Sequence, residues 1–147
     1  MKLYIDADAC PVTDIAVRLA REYGVGCVLI CDTSHRMEKD GAKTVTVGKG
    51  ADSADFALVN LIRAGDIAVT QDYGLAAMCL AKKAVPISQN GFVYDDGNIG
   101  ALLEARHAAK KFRSAGGRLK GPKKRTAAQD AAFEALLRRL LEAHAAQ

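Results

Sequence analysis

Short apolar runs alternate with helical stripes along the first hundred residues. Residues 2–6 are a compact apolar run that ends at Asp6, the pattern of a buried strand. Pro11 then stands at the favoured first position of a helix. Val12, Ile15, Ala16, Leu19, Ala20 and Tyr23 follow at i, i+3, i+4, i+7, i+8 and i+11, one helical face, and Gly24 closes it. Residues 27–31 and 43–47 predict a second and a third strand, separated by a polar loop over 32–41. After the turn Gly48-Lys49-Gly50, a helix over about 53–64 is apolar on most sides, so it is expected to be well buried. Residues 67–70 predict a fourth strand, Gln71-Asp72 leads into a helix through about Lys83, and residues 85–88 predict a fifth strand. Phe92-Val93-Tyr94 reads as a sixth strand or a hairpin arm before the turn Asp95-Asp96-Gly97-Asn98.

From about Ile99 the pattern is helical, and it breaks into a Gly/Lys/Arg linker after Arg113. Thr126-Ala127-Ala128-Gln129 is a capping box for a last helix. Phe133, Leu136, Leu137, Leu140 and Leu141 form its apolar stripe, which needs cover from the domain or from a second subunit of a homodimer. Strands alternating with helices predict the α/β class: three layers, α/β/α, around a mainly parallel, Rossmann-like sheet, with a C-terminal helical extension. The expected organisation is an α/β domain over 1–113, a basic linker over 114–125 and an amphipathic helix over 126–147.

Composition adds bounds. A chain of 147 residues, 50% hydrophobic and 26% charged, has the length and balance of one globular domain with a real core. It has no apolar run near the roughly 20 residues of a membrane span, and its start turns acidic too soon for a signal peptide. Cys10, Cys27, Cys31 and Cys79 lie in or beside apolar runs, without a second pair at zinc-finger spacing; reduced thiols in a cytoplasm are the expectation. The net charge of +4 hides a split: residues 1–100 carry −3 and residues 101–147 carry +7. Residues 106–125 hold nine basic side chains and no acid, a segment suited to a polyanion such as nucleic acid.

The acids supply candidate chemistry. Asp6, Asp32 and Asp72 each close a predicted strand, Asp8 lies two residues past Asp6, and Asp52 and Asp55 follow the third strand. Parallel sheets bind ligands outside the carboxyl ends of their strands, so these acids are expected to converge. Gathered carboxylates repel unless a proton or cation neutralises them, and hard cations such as Mg²⁺ or Mn²⁺ take oxygen ligands. Taken singly, Asp52 with Asp55 also reads as a capping pair, Asp72 as a helix cap and Asp32 as a loop start. His35 could face the same edge as a proton shuttle or phosphate donor, although a surface loop histidine is the plainer reading. Arg106, His107, Lys110, Lys111 and Arg113 give a helix a basic face, and Lys120, Lys123, Lys124 and Arg125 extend it; with Lys49 they are the candidate phosphate contacts.

The segments Ile5-Asp6-Ala7-Asp8-Ala9-Cys10-Pro11-Val12, Gly48-Lys49-Gly50-Ala51-Asp52-Ser53-Ala54-Asp55-Phe56-Ala57-Leu58-Val59 and Val69-Thr70-Gln71-Asp72-Tyr73-Gly74-Leu75-Ala76 closely resemble the YaiI/YqxD family of bacterial proteins of uncharacterised function. Ser34-His35, Arg106-His107 and Lys120-Gly121-Pro122-Lys123 fit it too, so the resemblance covers nearly the whole chain. That family is itself similar to PIN-like domains, whose metal-dependent nucleases carry acids at matching places. The resemblance implies a catalytic and metal-binding set of Asp6, Asp8, Asp55 and Asp72, with Asp52 nearby as a further metal ligand.

The favoured expectation is therefore an Mg²⁺- or Mn²⁺-dependent phosphodiesterase on nucleic acid, RNA before DNA. Two alternatives stand beside it. One is a haloacid-dehalogenase-like phosphatase with Asp6 as nucleophile and Asp8 as acid/base, Thr70, Lys82 or Lys83, and Asp95-Asp96 filling later roles; Cys10 stands where that motif usually has Thr or Val. The other is a non-catalytic nucleic-acid-binding protein that uses the basic arm without metal. Few aromatics and no Trp weaken a base-stacking platform.

Overall fold

The computed structural model describes residues 1–33, 37–50, 52–119, 121 and 123–147. Five strands, β1 (Lys2–Asp6), β2 (Gly26–Asp32), β3 (Lys43–Val47), β4 (Ile67–Val69) and β5 (Val85–Ile87), form one sheet in the order β3-β2-β1-β4-β5. All four pairings are parallel. The helices are α1 (Thr13–Glu22), α2 (Ser53–Leu61), α3 (Tyr73–Ala81), α4 (Ile99–Ser114) and α5 (Ala127–Ala145).

Strand periodicity sends alternate side chains to two faces, and the core divides accordingly. Leu3, Ile5, Leu29 and Val69 pack under α1 and α5, with Leu19, Phe133 and Leu137 from those helices. Tyr4, Val28, Ile30 and Ala68 pack under α2 and α3, with Leu58, Leu75 and Cys79. The result is the expected three-layer α/β/α sandwich with a parallel sheet and a C-terminal helical extension. The apolar stripe of α5 is covered within the same chain: Phe133, Leu136, Leu137 and Leu141 are buried in the α1-side core. The capping box is present, with the Thr126 hydroxyl accepting from Gln129 N and the Gln129 side chain accepting from Thr126 N.

Local chemistry moves several boundaries. Pro11 lies in a turn, and α1 begins only at Thr13, whose hydroxyl donates to the Cys10 carbonyl. α2 ends at Leu61 because Ile62 turns extended, and only Leu58 of the helix is buried. Phe56 is 58% exposed and Leu61 42% exposed, so the expectation of a well-buried helix fails on these two residues. α3 stops at Ala81, with Lys83 in the left-handed region. Val93 makes a single antiparallel bridge to Ile87 rather than a sixth strand. All four cysteines are unpaired, three of them buried, and among the described residues no helix is long and apolar enough to cross a membrane.

Candidate functional site

β1 and β4 are neighbours, and from them the chain winds outward in opposite directions, to β2 and β3 on one side and β5 on the other. A crevice opens at such a switch point, beyond the carboxyl ends of the strands. Asp6 is the last residue of β1, and Thr70 follows the last residue of β4. The Thr70 hydroxyl donates to Asp6 Oδ2 at 3.0 Å and accepts from Asp72 N at 3.0 Å. One buried hydroxyl thus fixes two acidic segments against each other. The buried Tyr94 hydroxyl donates to the Thr70 carbonyl at 3.0 Å and holds that residue in turn.

Asp72 caps α3: its Oδ1 accepts from Gly74 N at 2.9 Å and Leu75 N at 3.2 Å. The same oxygen accepts from Arg106 Nη1 at 3.2 Å, so α4 reaches the site through one guanidinium. The cap reading and the site reading of Asp72 are therefore compatible. The Asp8 carboxylate accepts from Asp32 N, at 3.4 and 3.2 Å to its two oxygens, which ties it over the end of β2. Directly after Asp8, Ala9 is held at φ 56°, a conformation that costs a non-glycine residue about 1–3 kcal/mol.

Asp55 lies in the first turn of α2. Burial, the Asp72 and Asp6 charges, a hydrogen bond with the Asp72 side chain, and Asp52 together push its carboxyl up to about 7. Burial also raises Asp6; the Thr70 hydrogen bond opposes the rise, and Asp8 and Asp72 add to it. Asp52 stands at the start of α2 with φ 65° but makes no side-chain cap bond, so the capping-pair reading of Asp52 with Asp55 does not hold. Asp6, Asp55 and Asp72 are thus brought together, with Asp8 beside Asp6 and Asp52 exposed at the margin. Among the described residues no three His, Cys, Asp or Glu side chains are arranged to hold a metal ion by themselves.

Without a cation, Asp55 gives a pH signature. Its folded value lies above that of an unfolded aspartate, so between about pH 4 and 7 the folded state binds a proton that the unfolded state has lost. Stability in chelator is expected to fall as pH rises through that window. With the shift discounted for solvent screening, the drop in Tm is about 3–6 °C, and Asp55→Asn flattens it. A Tm in chelator that stays flat or rises between those values contradicts the crowding.

A small pocket of about 30 Å³ lies between Asp6, Asp8, Cys10, Val69, Thr70, Gln71 and Gln89. It has room for about one water or one small ion. Its donors are mainly oxygens, and burial raises the Cys10 thiol away from the thiolate form. Gln89 Oε1 is buried and has no hydrogen-bond partner among the described residues. Two carboxylates and an uncoordinated amide oxygen suit a hard divalent cation such as Mg²⁺ or Mn²⁺. Such ions are often held by only one or two carboxylates, with water and phosphate completing the shell.

The basic residues separate into two kinds. His107, Lys110, Lys111 and Arg113 are exposed along α4, and the first three line an open groove with Ser114 and Ala115. Lys49, Lys123 and Lys124 are exposed in connecting segments. Arg125 is engaged inside the fold: Nε donates to Asp130 Oδ1 at 2.6 Å, Nη1 to Asn90 Oδ1 at 2.8 Å and Nη2 to the Gln89 carbonyl at 2.6 Å. His35 and Lys120 lie outside the described residues.

The sequence gives Thr70 a role only in the phosphatase alternative and gives neither Tyr94 nor Gln89 a role at the site. The pairing of Thr70 with Asp72 two residues on was a usable signal. Gln89 stands in the polar run Ser88-Gln89-Asn90 after a short strand, and nothing there singles it out from its neighbours.

Residues 4–143 match the family described as uncharacterized BCR, YaiI/YqxD. A UPF0178 protein of Exiguobacterium sibiricum is 55% identical over 141 residues, covering 96% of each chain. One from Clostridium acetobutylicum is 49% identical over 143 residues, covering 96% of this chain and 97% of that one. Among solved structures, a point mutant of Rae1 (YacP) from Bacillus subtilis superposes with a TM-score of 0.42 at 16% identity, over 98% of this chain and 99% of that chain. With a match over nearly its full length and relatives at about half identity, the chain belongs to the YaiI/YqxD family.

Proposed function

We propose that this protein is a divalent-cation-dependent phosphodiesterase acting on nucleic acid, with RNA the favoured substrate. The observation that carries the reading is that one buried Thr70 hydroxyl ties the Asp6 carboxylate to the Asp72 segment at the switch-point crevice, with Asp55 raised to about 7 by burial first and by the Asp72 and Asp6 charges next. Such crowding costs stability and is relieved by a cation. The similarity of the family to PIN-like domains supports the same assignment. Asp6 and Asp8 would hold Mg²⁺ or Mn²⁺, with Asp72 and Asp55 beside them. When bound, the cation supplies neutralisation of phosphate charge and a more acidic water.

The chain's own groups divide the remaining work. Thr70 orients the Asp6 carboxylate through its hydroxyl. Asp55, with a value near neutrality, is suited to hold or move a proton at pH 7. Arg106, 57% exposed at the rim and paired with Asp72, can meet a phosphate with its free nitrogens. The exposed bases of α4 offer a track for the backbone, which makes binding salt-dependent.

Two of the residues the phosphatase alternative would use are engaged elsewhere. Lys82 lies past the far end of α3 and donates to the Val59 carbonyl, away from the Asp72 cap where that helix begins. Asp95 is engaged in reciprocal hydrogen bonds with Asn98.

The test is incubation of single-stranded RNA with the purified full chain. Cleavage that requires Mn²⁺ or Mg²⁺ and stops in chelator is expected. Salt-sensitive RNA binding that persists in chelator with no cleavage at any cation concentration would select the non-catalytic reading instead.

A further inference from the structure

The orphaned oxygen of Gln89 is the most informative unexplained group in the molecule. Buried acceptors without partners are rare, because each forfeits its hydration for nothing. Gln89 lines a pocket of about 30 Å³ together with Asp6, Asp8, Cys10, Thr70 and Gln71. Asp6 comes from β1, Thr70 follows β4, and Gln89 follows β5, so three parallel strand ends meet there.

The segment holding Gln89 is anchored on both sides of that side chain. The Gln89 carbonyl accepts from Arg125 Nη2, and Ser88 Oγ accepts from Asn90 N at 3.0 Å. Gly91, at φ +92°, packs so closely on α5 that a Cβ would lie 2.7 Å from the Ala132 backbone. None of these contacts uses the Gln89 amide oxygen. The fold therefore fixes the residue through its backbone, and the side chain that lines the carboxylate pocket has a buried amide oxygen with no partner among the described residues.

We infer that Gln89 Oε1 is a neutral oxygen ligand for the divalent cation held by Asp6 and Asp8, directly or through one of its waters. This rests on the cation-dependent reading proposed above and adds a ligand to it. A neutral ligand fits the charge balance: Asp6 and Asp8 already bring two carboxylates to the pocket, and a third would add to their repulsion.

The experiment is Mn²⁺ titration of the full chain by calorimetry, paired with Tm in chelator and in saturating Mn²⁺, for wild type, Gln89→Leu, Gln89→Glu and Asp6→Asn. Gln89→Leu is expected to weaken Mn²⁺ binding by about tenfold or more. In chelator its Tm should equal or exceed that of wild type, because an unsatisfied acceptor has been replaced by an apolar group of similar size. Gln89→Glu is expected to bind Mn²⁺ more tightly than wild type and to melt lower in chelator. Wild-type affinity in Gln89→Leu, with Asp6→Asn losing binding, would overturn the Gln89 assignment and leave the cation site standing. No Mn²⁺ binding by wild type would remove the cation-dependent reading and this inference with it. Should Gln89→Leu fail to fold, Gln89→Glu decides alone: affinity at or below wild type overturns the assignment.

Discussion

Asp6→Asn is expected to abolish cation-dependent cleavage of single-stranded RNA, a loss of about 10³-fold or more, without lowering the Tm in chelator. The two halves of that expectation have separate causes. Asparagine keeps an oxygen that can accept from the Thr70 hydroxyl, so the tie between β1 and β4 survives. It removes a charge that repels Asp8, Asp55 and Asp72, so the metal-free protein loses nothing and gains relief. What disappears is a charged oxygen in a pocket that Asp6 and Asp8 share with Gln89, whose amide oxygen has no partner among the described residues. Asp52→Asn provides the contrast: Asp52 is exposed and makes no cap bond, so its loss should change the rate by no more than a few-fold. Cleavage by Asp6→Asn within a few-fold of wild type would refute the assignment, and a large drop in its Tm would show Asp6 to be structural.

The parts of this site that were legible in the sequence are those tied to strand ends. Asp6 and Asp72 were readable because an apolar run fixes where a parallel strand stops, and ligands gather beyond that point. Asp55 was readable mainly through family resemblance, since its position depends on how α2 approaches the sheet. What the chain pattern could not show is the connecting chemistry. Thr70 links two acids through one hydroxyl, and the only local mark of that role is the acid two residues on. Arg125 stood in a basic run and read as a phosphate contact, yet it folds back onto the loop after β5 through three hydrogen bonds. A charge run has no internal mark for the member that finds an acid and two carbonyl-type oxygens within reach. The burial of α2 was overestimated for a related reason: apolar residues around a helix require cover only when the helix sits between layers, and α2 is an outer helix.

Phe133→Ala is expected to destabilise the protein by about 3–5 kcal/mol and to lower its Tm by about 10 °C. Phe133 is fully buried and shares a core with Leu3 and Ile5 of the central strand β1 and Leu29 of β2. Its removal leaves a cavity at the centre of the α1-side layer rather than at an edge. Phe112, 49% exposed on α4, is the control, and Phe112→Ala should shift the Tm by no more than about 2 °C. The shape of the melt matters as much as its midpoint. If α5 belongs to the cooperative unit, as its burial indicates, the whole transition moves together. A minor early transition with the main Tm unmoved would make α5 an appendage. The distinction reaches the site, because Ala132 of α5 packs on Gly91 and Arg125, just before that helix, holds the Gln89 carbonyl. A loosened α5 frees the loop that presents the Gln89 oxygen to the pocket. Phe133→Ala at temperatures where it stays folded should therefore also bind Mn²⁺ more weakly than wild type, while Phe112→Ala binds it equally well.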